Sequence, residues 1–310
     1  MRIFNSIKST NITRPVVTIG FFDGVHIGHQ TILKKTIEKA KELNRESLLI
    51  TFWPHPRIVL NKDAASLKLL TSLEEKKKIL ASIDLDGMLI MEFTPELATK
   101  PPRDFIQEIL IDKLNISAIV LGYNHVFGSK GEGNYILLKE LENKGNFTAH
   151  QIDPISVGEI NVSSTKIRSA LEQGLLNIAN AMLSRDYSIT GTIEGGRQLG
   201  RDIGYPTANI SPSEPLKQIP GDGVYAVWVD YNKNSYPAML NIGHNPTVED
   251  GLHKTIEAHI IGFKENIYDK EITVRFIKKI REELKFPSLD ALKEQLAIDK
   301  VTTLKLLEND

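Results

Sequence analysis

Short apolar runs of β-forming residues recur through the first half of the chain, and helical patterns separate them. The runs are residues 16–19, 48–52, 88–91 and 118–121. Between the first two, apolar residues recur at helical spacing on one face, which comprises Ile32, Leu33, Ile37, Ala40 and Leu43. Alternating strands and helices predict an α/β domain with a Rossmann-like parallel sheet, whose ligands bind at the carboxyl ends of the strands.

The second half has a different pattern. Strand-like segments follow one another closely, with Gly- and Pro-containing turns between them, at residues 188–193, 224–229, 237–242, 255–261 and 271–277. This spacing predicts a mostly antiparallel β-barrel or sandwich, and residues 288–307 predict one C-terminal helix.

A helical pattern over residues 163–183 precedes this change, so we place the domain boundary between residues 185 and 186. The expected domains are therefore residues 1–185 and 186–310. A length of 310 residues favours two domains, each large enough to bury a core.

Composition excludes several classes of function. The chain has no cysteine, which rules out disulfides, thiolate catalysis and cysteine-ligated metals. Lys and Arg total 38 against 39 Asp and Glu, so no overall positive field attracts nucleic acid or an anionic membrane. The N-terminal residues lack the apolar core of a signal peptide, and we expect a cytoplasmic protein. Self-association is left open.

The segment GFFDGVHIGH, residues 20–29, directly follows the first strand and opens the first helix. Gly20 and Gly24 permit a tight turn with positive φ, and Gly28 lets a ligand approach the backbone. His26 and His29, three residues apart, share a helical face and could both donate to a triphosphate. The bare spacing also fits surface histidines at a helix N-terminus, or half of a metal site.

A second segment, VSSTKIR at residues 162–168, combines helix-capping residues with two cations. Such a start leaves free amides at the positive end of the helix dipole, where phosphate can bind. Ordinary capping beside solvated basic residues explains the same pattern.

Two further loops follow predicted strands. In TFWPHPR, residues 51–57, His55 lies between prolines, which hold it rigidly. In LGYNHVFG, residues 121–128, Phe127 could pack against an aromatic ligand. A structural histidine and a glycine-rich surface loop are the alternatives.

In the second half, Gly195 and Gly200 have the spacing of a Walker A motif, but Arg201 and Asp202 stand where Lys and Ser/Thr belong. A nucleotide could still lie against this glycine loop. Thr207 and Asn209 alternate on an extended segment and offer two neutral oxygens, which suits Mg²⁺ that already carries phosphates. An ordinary β-turn is the alternative interpretation.

Glu257 and His259 lie on one face of a predicted strand among apolar neighbours. Burying a carboxylate is costly, so Glu257 either pairs with a cation or serves as a general base.

Together these motifs, in this order, resemble the bacterial bifunctional riboflavin kinase and FAD synthetase family over essentially the whole chain. The resemblance implies that the first domain adenylylates FMN to FAD and pyrophosphate, and that the second phosphorylates riboflavin to FMN with Mg²⁺ and ATP. It implies Glu257, His26 and His29 as catalytic residues and Thr207 and Asn209 as metal ligands. The implied ATP contacts of the first domain are Gly20, Phe22, Asp23, Gly24, Gly28, Ser163, Ser164, Thr165 and Arg168. The implied flavin contacts there are His55, Pro56, Asn124 and Phe127. The implied ATP contacts of the second domain are Gly195, Arg197, Gly200, Arg201, Thr207 and Asn209.

The sequence departs from the family pattern in places. Asn124-His125 stands where Asp-Phe is more usual, and Gly262 stands where Asp is common; both departures bear on flavin affinity. Three rivals share parts of the signature: another HxGH nucleotidylyltransferase, a flavin-binding protein without catalysis, and a tRNA-linked synthetase. The PTAN segment, residues 206–209, argues against the first. The intact His26, His29, Asn209 and Glu257 argue against the second, and the absence of a basic tract argues against the third.

Overall fold

The computed structural model describes residues 1–60, 66–195, 204–247 and 251–308. The chain forms two compact units, Met1–Ser164 and Thr165–Asp310.

The first unit is built on a six-stranded parallel sheet with the order β1-β4-β3-β2-β5-β6. Its strands are β1 Arg2–Phe4, β2 Val16–Ile19, β3 Ser47–Trp53, β4 Gly87–Glu92, β5 Ala118–Gly122 and β6 Thr148–Ile152. The four strands predicted from the sequence are confirmed. All of β2 is buried, as expected for a central parallel strand covered on both faces.

The sheet changes direction at its centre. The chain runs from β2 to β3 and β4 on one side, then returns to β5 and β6 on the other. The carboxyl ends of β2 and β5 therefore flank the switch point where sheets of this kind bind ligands.

Helices cover the sheet. They are α1 Ile27–Glu42, α2 Pro56–Val59, α3 Leu73–Ala81, α4 Pro95–Thr99, α5 Pro102–Phe105 and α6 Tyr135–Gly145. A π-helical segment, Ile106–Lys113, continues α5, single 3₁₀ turns span Ile7–Ser9 and Ser129–Gly131, and a small hairpin joins β7 Ser156–Val157 to β8 Ile160–Asn161. Helix α1 buries Leu33, Ile37 and Ala40 as predicted. Leu43, the last residue of the predicted face, is the C-cap of α1 and is exposed.

The second unit contains a closed six-stranded antiparallel barrel with the order β10-β13-β12-β11-β14-β9. Its strands are β9 Tyr187–Glu194, β10 Ala208–Pro212, β11 Gly223–Tyr231, β12 Asn234–Thr247, β13 Gly251–Ile260 and β14 Glu271–Arg281. All five predicted strands are confirmed. The sequence predicted only an extended segment where β10 lies, because prolines border that short strand.

The helical pattern over residues 163–183 forms two helices, α7 Ser164–Glu172 and α8 Leu176–Leu183. The break follows from Gly174, whose φ of +70° ends a regular helix. Asn180 of α8 forms two hydrogen bonds with the barrel. Its side-chain amide donates to the Phe276 carbonyl at 2.9 Å, and its Oδ1 accepts from Tyr187 N–H at 2.9 Å. Both helices thus group with the second unit, whereas a boundary between activities at 185/186 stays a prediction.

The predicted C-terminal helix is confirmed as α9, Leu289–Leu307, and Ser288 caps it by accepting from Ala291 N–H.

Candidate active sites

The loop between β2 and α1 has an unusual backbone. Gly20 and Gly24 have φ values of +156° and +82°, and Phe22 and Val25 also lie at positive φ, near 50° and 39°. Glycine adopts such angles without strain, which explains its place at both turns. The loop leads directly into the N-terminus of α1 at the switch point.

The two histidines of this loop lie against each other. Their rings stack with centroids 3.6 Å apart and planes 14° from parallel. His26 is the N-cap of α1, and its Nδ1 accepts from the backbone N–H of His29 at 3.3 Å. The Phe22 ring packs 4.8 Å from that of His29. The structure therefore brings both histidines to the positive end of α1, where phosphate binding is favoured.

Asp23 is part of this loop and anchors it to residues 70 and 71. Its carboxylate is buried and accepts from the backbone N–H groups of Leu70 and Thr71 at 3.0–3.1 Å. The Thr71 hydroxyl in turn accepts from Gly24 N–H at 3.1 Å. A contact between Asp23 and ATP stays a prediction, while the structure gives its carboxylate a bracing role.

Lys76 is a second brace, which the sequence did not reveal because it is one of three consecutive lysines in α3. Its ammonium donates to the Phe21 carbonyl at 2.6 Å. Burial lowers the pKa of Lys76 to about 8, against a smaller opposing effect of Asp23.

The VSSTKIR segment contacts the same loop. The Ser164 hydroxyl donates to the Asp23 carbonyl at 2.9 Å, and Ser163 is half-buried beside it in the sequence. Thr165 and Arg168, on the first turns of α7, belong to the second unit.

A cavity of about 490 Å³ opens at the carboxyl ends of the sheet strands in the first unit. Its wall is mainly apolar and includes Phe52, Phe93 and Phe105, together with the predicted flavin contacts Pro56 and Phe127. His55 does not line the cavity, but its ring lies 5.1 Å from that of Phe21, which does. Asn124 is exposed and does not line this cavity.

Two cavities flank the PTAN segment of the second unit, and Thr207 lines both. The smaller, of about 190 Å³, is bounded by the loop at residues 263–268. The larger, of about 470 Å³, lies between the outer face of the barrel and α9, where Leu292 and Leu296 line it. Glu257 and His259 both line the larger cavity, so their predicted common face is confirmed.

The catalytic candidates of the second unit lie close together. The Thr207 hydroxyl donates to Glu257 Oε2 at 3.4 Å, and Asn209 pairs with Glu257 across β10 and β13. His259 holds the same segment, because its Nδ1 lies 2.9 Å from the Pro206 carbonyl. Burial lowers the pKa of His259, and this contact partly offsets the effect.

An ion pair fastens α9 to the barrel. Asp299, only 1% exposed, accepts from Arg281 Nε and Nη2 at 2.8–3.1 Å and from Gln295 at 2.9 Å. Both charged residues line the larger cavity. Asp299 was not predicted from the sequence, although it precedes Thr303 and Leu307 at the four-residue spacing of one helix face.

Of the glycine loop predicted to contact ATP in the second unit, only part lies among the described residues. Gly195 is exposed at the end of β9, whereas Arg197, Gly200 and Arg201 lie outside the described residues. Within the described ranges, no cluster of three or more histidine or acidic side chains forms a metal site. None of the helices in the described part of the chain is long and apolar enough to cross a membrane.

Comparison with known proteins decides the family. Residues 8–166 match the FAD synthetase family, and residues 183–307 match the riboflavin kinase family. The chain belongs to the bifunctional riboflavin kinase/FMN adenylyltransferases. A protein of that name from Listeria monocytogenes is 35% identical over 93% of this chain and 91% of its own length. Another from Buchnera aphidicola of Schizaphis graminum is 38% identical over 96% of both chains.

A solved structure has the same fold. The chain matches a protein from Streptococcus pneumoniae, titled a macrolide-efflux protein, with a TM-score of 0.87, 28% identity and 97% coverage of both chains. Within the bifunctional family, the histidine loop and the aromatic cavity fall in the FAD synthetase module, and Thr207, Asn209 and Glu257 fall in the riboflavin kinase module.

Proposed function

We propose that the riboflavin kinase module transfers the γ-phosphoryl group of ATP to the 5′-hydroxyl of riboflavin, with Glu257 as general base. The observation that carries this proposal is the position of Thr207, which lines both cavities and whose hydroxyl lies 3.4 Å from Glu257 Oε2. A nucleotide in one cavity and a flavin in the other would bring γ-phosphate and hydroxyl together beside Glu257. Phosphoryl transfer depends mainly on such positioning and on charge neutralisation.

The side chains beside Glu257 are of the kind that bind Mg²⁺. Thr207 and Asn209 offer neutral oxygens and Glu257 a carboxylate, and Mg²⁺ prefers oxygen ligands completed by water and phosphate. We assign Thr207 and Asn209 as its ligands. When bound, Mg²⁺ supplies charge neutralisation for the phosphates. Gly195, Arg197, Gly200 and Arg201 are our further candidates for ATP contacts in this module.

In the FAD synthetase module, we assign the stacked His26 and His29 to the triphosphate of a second ATP. A phosphate oxygen of FMN would form a bond to the α-phosphorus while the bond to pyrophosphate breaks. Donors at the N-terminus of α1 are placed to stabilise the negative charge that develops there. Gly20, Phe22, Asp23, Gly24 and Gly28 would shape this ATP site.

We extend the same ATP site to Ser163 and Ser164, and Thr165 and Arg168, which follow them directly in the sequence, stay candidates for ATP contacts. The bond from Ser164 to the Asp23 carbonyl supports this, because it ties the second motif to the histidine loop.

The aromatic cavity is our candidate for the flavin ring of FMN. A mainly apolar pocket of about 490 Å³ with a few polar groups is typical of small-molecule sites. Pro56 and Phe127 would contact the ring directly, and we assign His55 and Asn124 to supporting contacts. We also propose that the enzyme acts in the cytoplasm without nucleic-acid or membrane partners, in keeping with its net charge of −1.

Reciprocal variants test these assignments. Glu257→Gln should lower FMN formation from riboflavin by at least 100-fold, in the range lost when a general base is removed, and leave FAD formation from supplied FMN within about twofold. His29→Ala should lower FAD formation by about 100-fold and leave FMN formation unchanged, because a donor to the developing charge is lost. Both rates are measured by chromatography of the three flavins.

In each variant, the reaction of the unaltered module controls for loss of the whole protein. If Glu257→Gln also stopped FAD formation from FMN, the assignment of separate sites would be wrong. If His29→Ala still made FAD at the wild-type rate, the histidine would have no part in the reaction.

A further inference from the structure

Phe21 connects the two parts of the proposed FMN adenylylation site. It lines the aromatic cavity, and its backbone belongs to the loop that carries His26 and His29. We assigned it to neither substrate from the sequence, so its part in the site is a new question.

Two buried donors hold the backbone of Phe21. The Lys76 ammonium donates to the Phe21 carbonyl at 2.6 Å, and the Thr51 hydroxyl donates to the same oxygen at 3.4 Å. Lys76 is only 3% exposed, and Thr51 is fully buried. Both bonds end on the carbonyl and not on the ring, so a change of the side chain leaves them in place.

The rings of Phe21 and Phe22 pack into different cores. The buried Phe22 belongs to the cluster that contains Leu33 of α1, and its ring lies 4.8 Å from that of His29. Phe21 packs against the other cluster, with its ring 5.5 Å from that of Phe52. Phe22 therefore joins the loop to α1, while the ring of Phe21 lies on the side of the cavity.

The surface of Phe21 is accessible there. Among the described residues, five phenylalanines line the cavity: Phe21, Phe52, Phe93, Phe105 and Phe127. Phe52, Phe105 and Phe127 are at most 9% exposed, whereas Phe21 and Phe93 are half-buried. The ring of Phe21 lies 6.2 Å from that of Phe93, so the two partly exposed rings are neighbours. Of these two, Phe21 is the one on the histidine loop.

The chemistry of such a ring favours a planar aromatic partner. Aromatic pairs in offset or edge-to-face arrangements gain free energy beyond that of the apolar area they bury. An aliphatic side chain at the same place would bury area without this preference. The flavin ring is the planar aromatic part of FMN, and its phosphate must reach the ATP bound at the histidine loop.

We propose that Phe21 is a specificity-determining residue of the FAD synthetase module, whose ring packs against the flavin ring of FMN. This inference rests on the proposed flavin site. It adds a contact from the loop that also carries the histidines, so one fixed backbone segment serves both substrates.

Two variants and a matched control test the proposal. Phe21→Leu keeps an apolar side chain without the ring, and Phe21→Tyr keeps the ring. Phe147→Leu is the control, because Phe147 is a buried phenylalanine of the same core cluster that does not line the cavity.

We expect Phe21→Leu to raise the KM for FMN about tenfold, because an aromatic contact with the substrate is lost. Its kcat and its KM for ATP should change less than twofold, since the loop keeps its backbone bonds. Phe21→Tyr should stay within about threefold of the wild-type KM for FMN, and Phe147→Leu should keep the wild-type value. Riboflavin phosphorylation by the same preparations controls for folding of the chain.

Lumiflavin separates a ring contact from an effect on the histidine loop, because it has the flavin ring without the ribityl phosphate. It should inhibit FAD formation in competition with FMN. Phe21→Leu should raise its inhibition constant by the same factor as the KM for FMN.

An unchanged KM for FMN in Phe21→Leu would overturn the proposal, and so would an equal loss in Phe21→Tyr. A raised KM for FMN with an unchanged inhibition constant for lumiflavin would also overturn it. Failure of the underlying function looks different, because the wild-type protein would then form no FAD from FMN, or lumiflavin would not compete with FMN even in the wild type.

Discussion

Two buried charged residues, Asp23 of the loop itself and Lys76 of α3, hold the loop after β2 in place. Asp23 accepts from the backbone of Leu70 and Thr71, and Lys76 donates to the Phe21 carbonyl. Both contacts join residues about 50 positions apart in the chain. The loop therefore owes its shape to long-range contacts as well as to its own glycines.

At the residue scale, Lys76 makes stability depend on pH. Its pKa is about 8 in the folded protein and about 10.4 in an unfolded chain, so the unfolded state binds more protons between these values. The unfolding free energy should therefore rise with pH in this window. From pH 7 to pH 9.5, we expect wild type to gain about 2 kcal/mol relative to Lys76→Met.

The two tryptophans make this measurable, since Trp53 lies in the first unit and Trp228 in the second. Urea unfolding in a Trp228→Phe background follows Trp53 fluorescence. Lys77→Met is the matched control, because Lys77 forms a surface pair with Glu74, and it should keep the wild-type pH dependence. Identical pH dependence in Lys76→Met and wild type would contradict this account.

At the residue scale, the motifs could be predicted from the sequence, but Lys76 could not. His26, His29 and Glu257 belong to short patterns of defined spacing, and the structure places each at a cavity or helix end. Lys76 is different, because its significance comes from burial and from its contact with the distant Phe21, which no local pattern records.

At the scale of elements, α9 completes the larger cavity of the barrel. Leu292 and Leu296 line that cavity, and the ion pair of Asp299 with Arg281 fastens the helix. Removing one partner of a buried pair leaves the other charge without compensation, which is strongly destabilising.

We therefore expect Asp299→Asn to lower the unfolding free energy of the second unit by about 3 kcal/mol. Trp228 fluorescence in a Trp53→Phe background reports this transition. Glu282→Gln is the control, because Glu282 pairs with Lys279 at the surface, and its effect should stay below about 1 kcal/mol. Equal stability of Asp299→Asn and wild type would show that the pair does not hold α9.

The elements themselves were largely predictable. Buried parallel strands form continuous apolar runs, and amphipathic helices repeat their apolar residues with a period of 3.6, so both leave a local signal. The division of residues 163–183 into α7 and α8 was missed because the break depends on one glycine. The predicted antiparallel β-barrel is confirmed, although the strand spacing alone also allowed a sandwich, because closure depends on pairing between β9 and β10 and between β9 and β14.

At the scale of the whole molecule, each unit contains its own candidate site. The first contains the histidine loop and the aromatic cavity, and the second contains Thr207, Asn209 and Glu257 between two cavities. The product of the second unit is the substrate of the first. The order of the two reactions is thus fixed by chemistry and not by the order of the modules in the chain.

The most direct test of this account is a time course of purified protein with riboflavin, ATP and Mg²⁺, in which chromatography resolves riboflavin, FMN and FAD. We predict that FMN appears first, that FAD follows at the expense of FMN, and that both products are absent when EDTA removes the Mg²⁺. FMN that accumulates without FAD would contradict the assignment of the first unit. A protein that forms neither product would contradict the account as a whole.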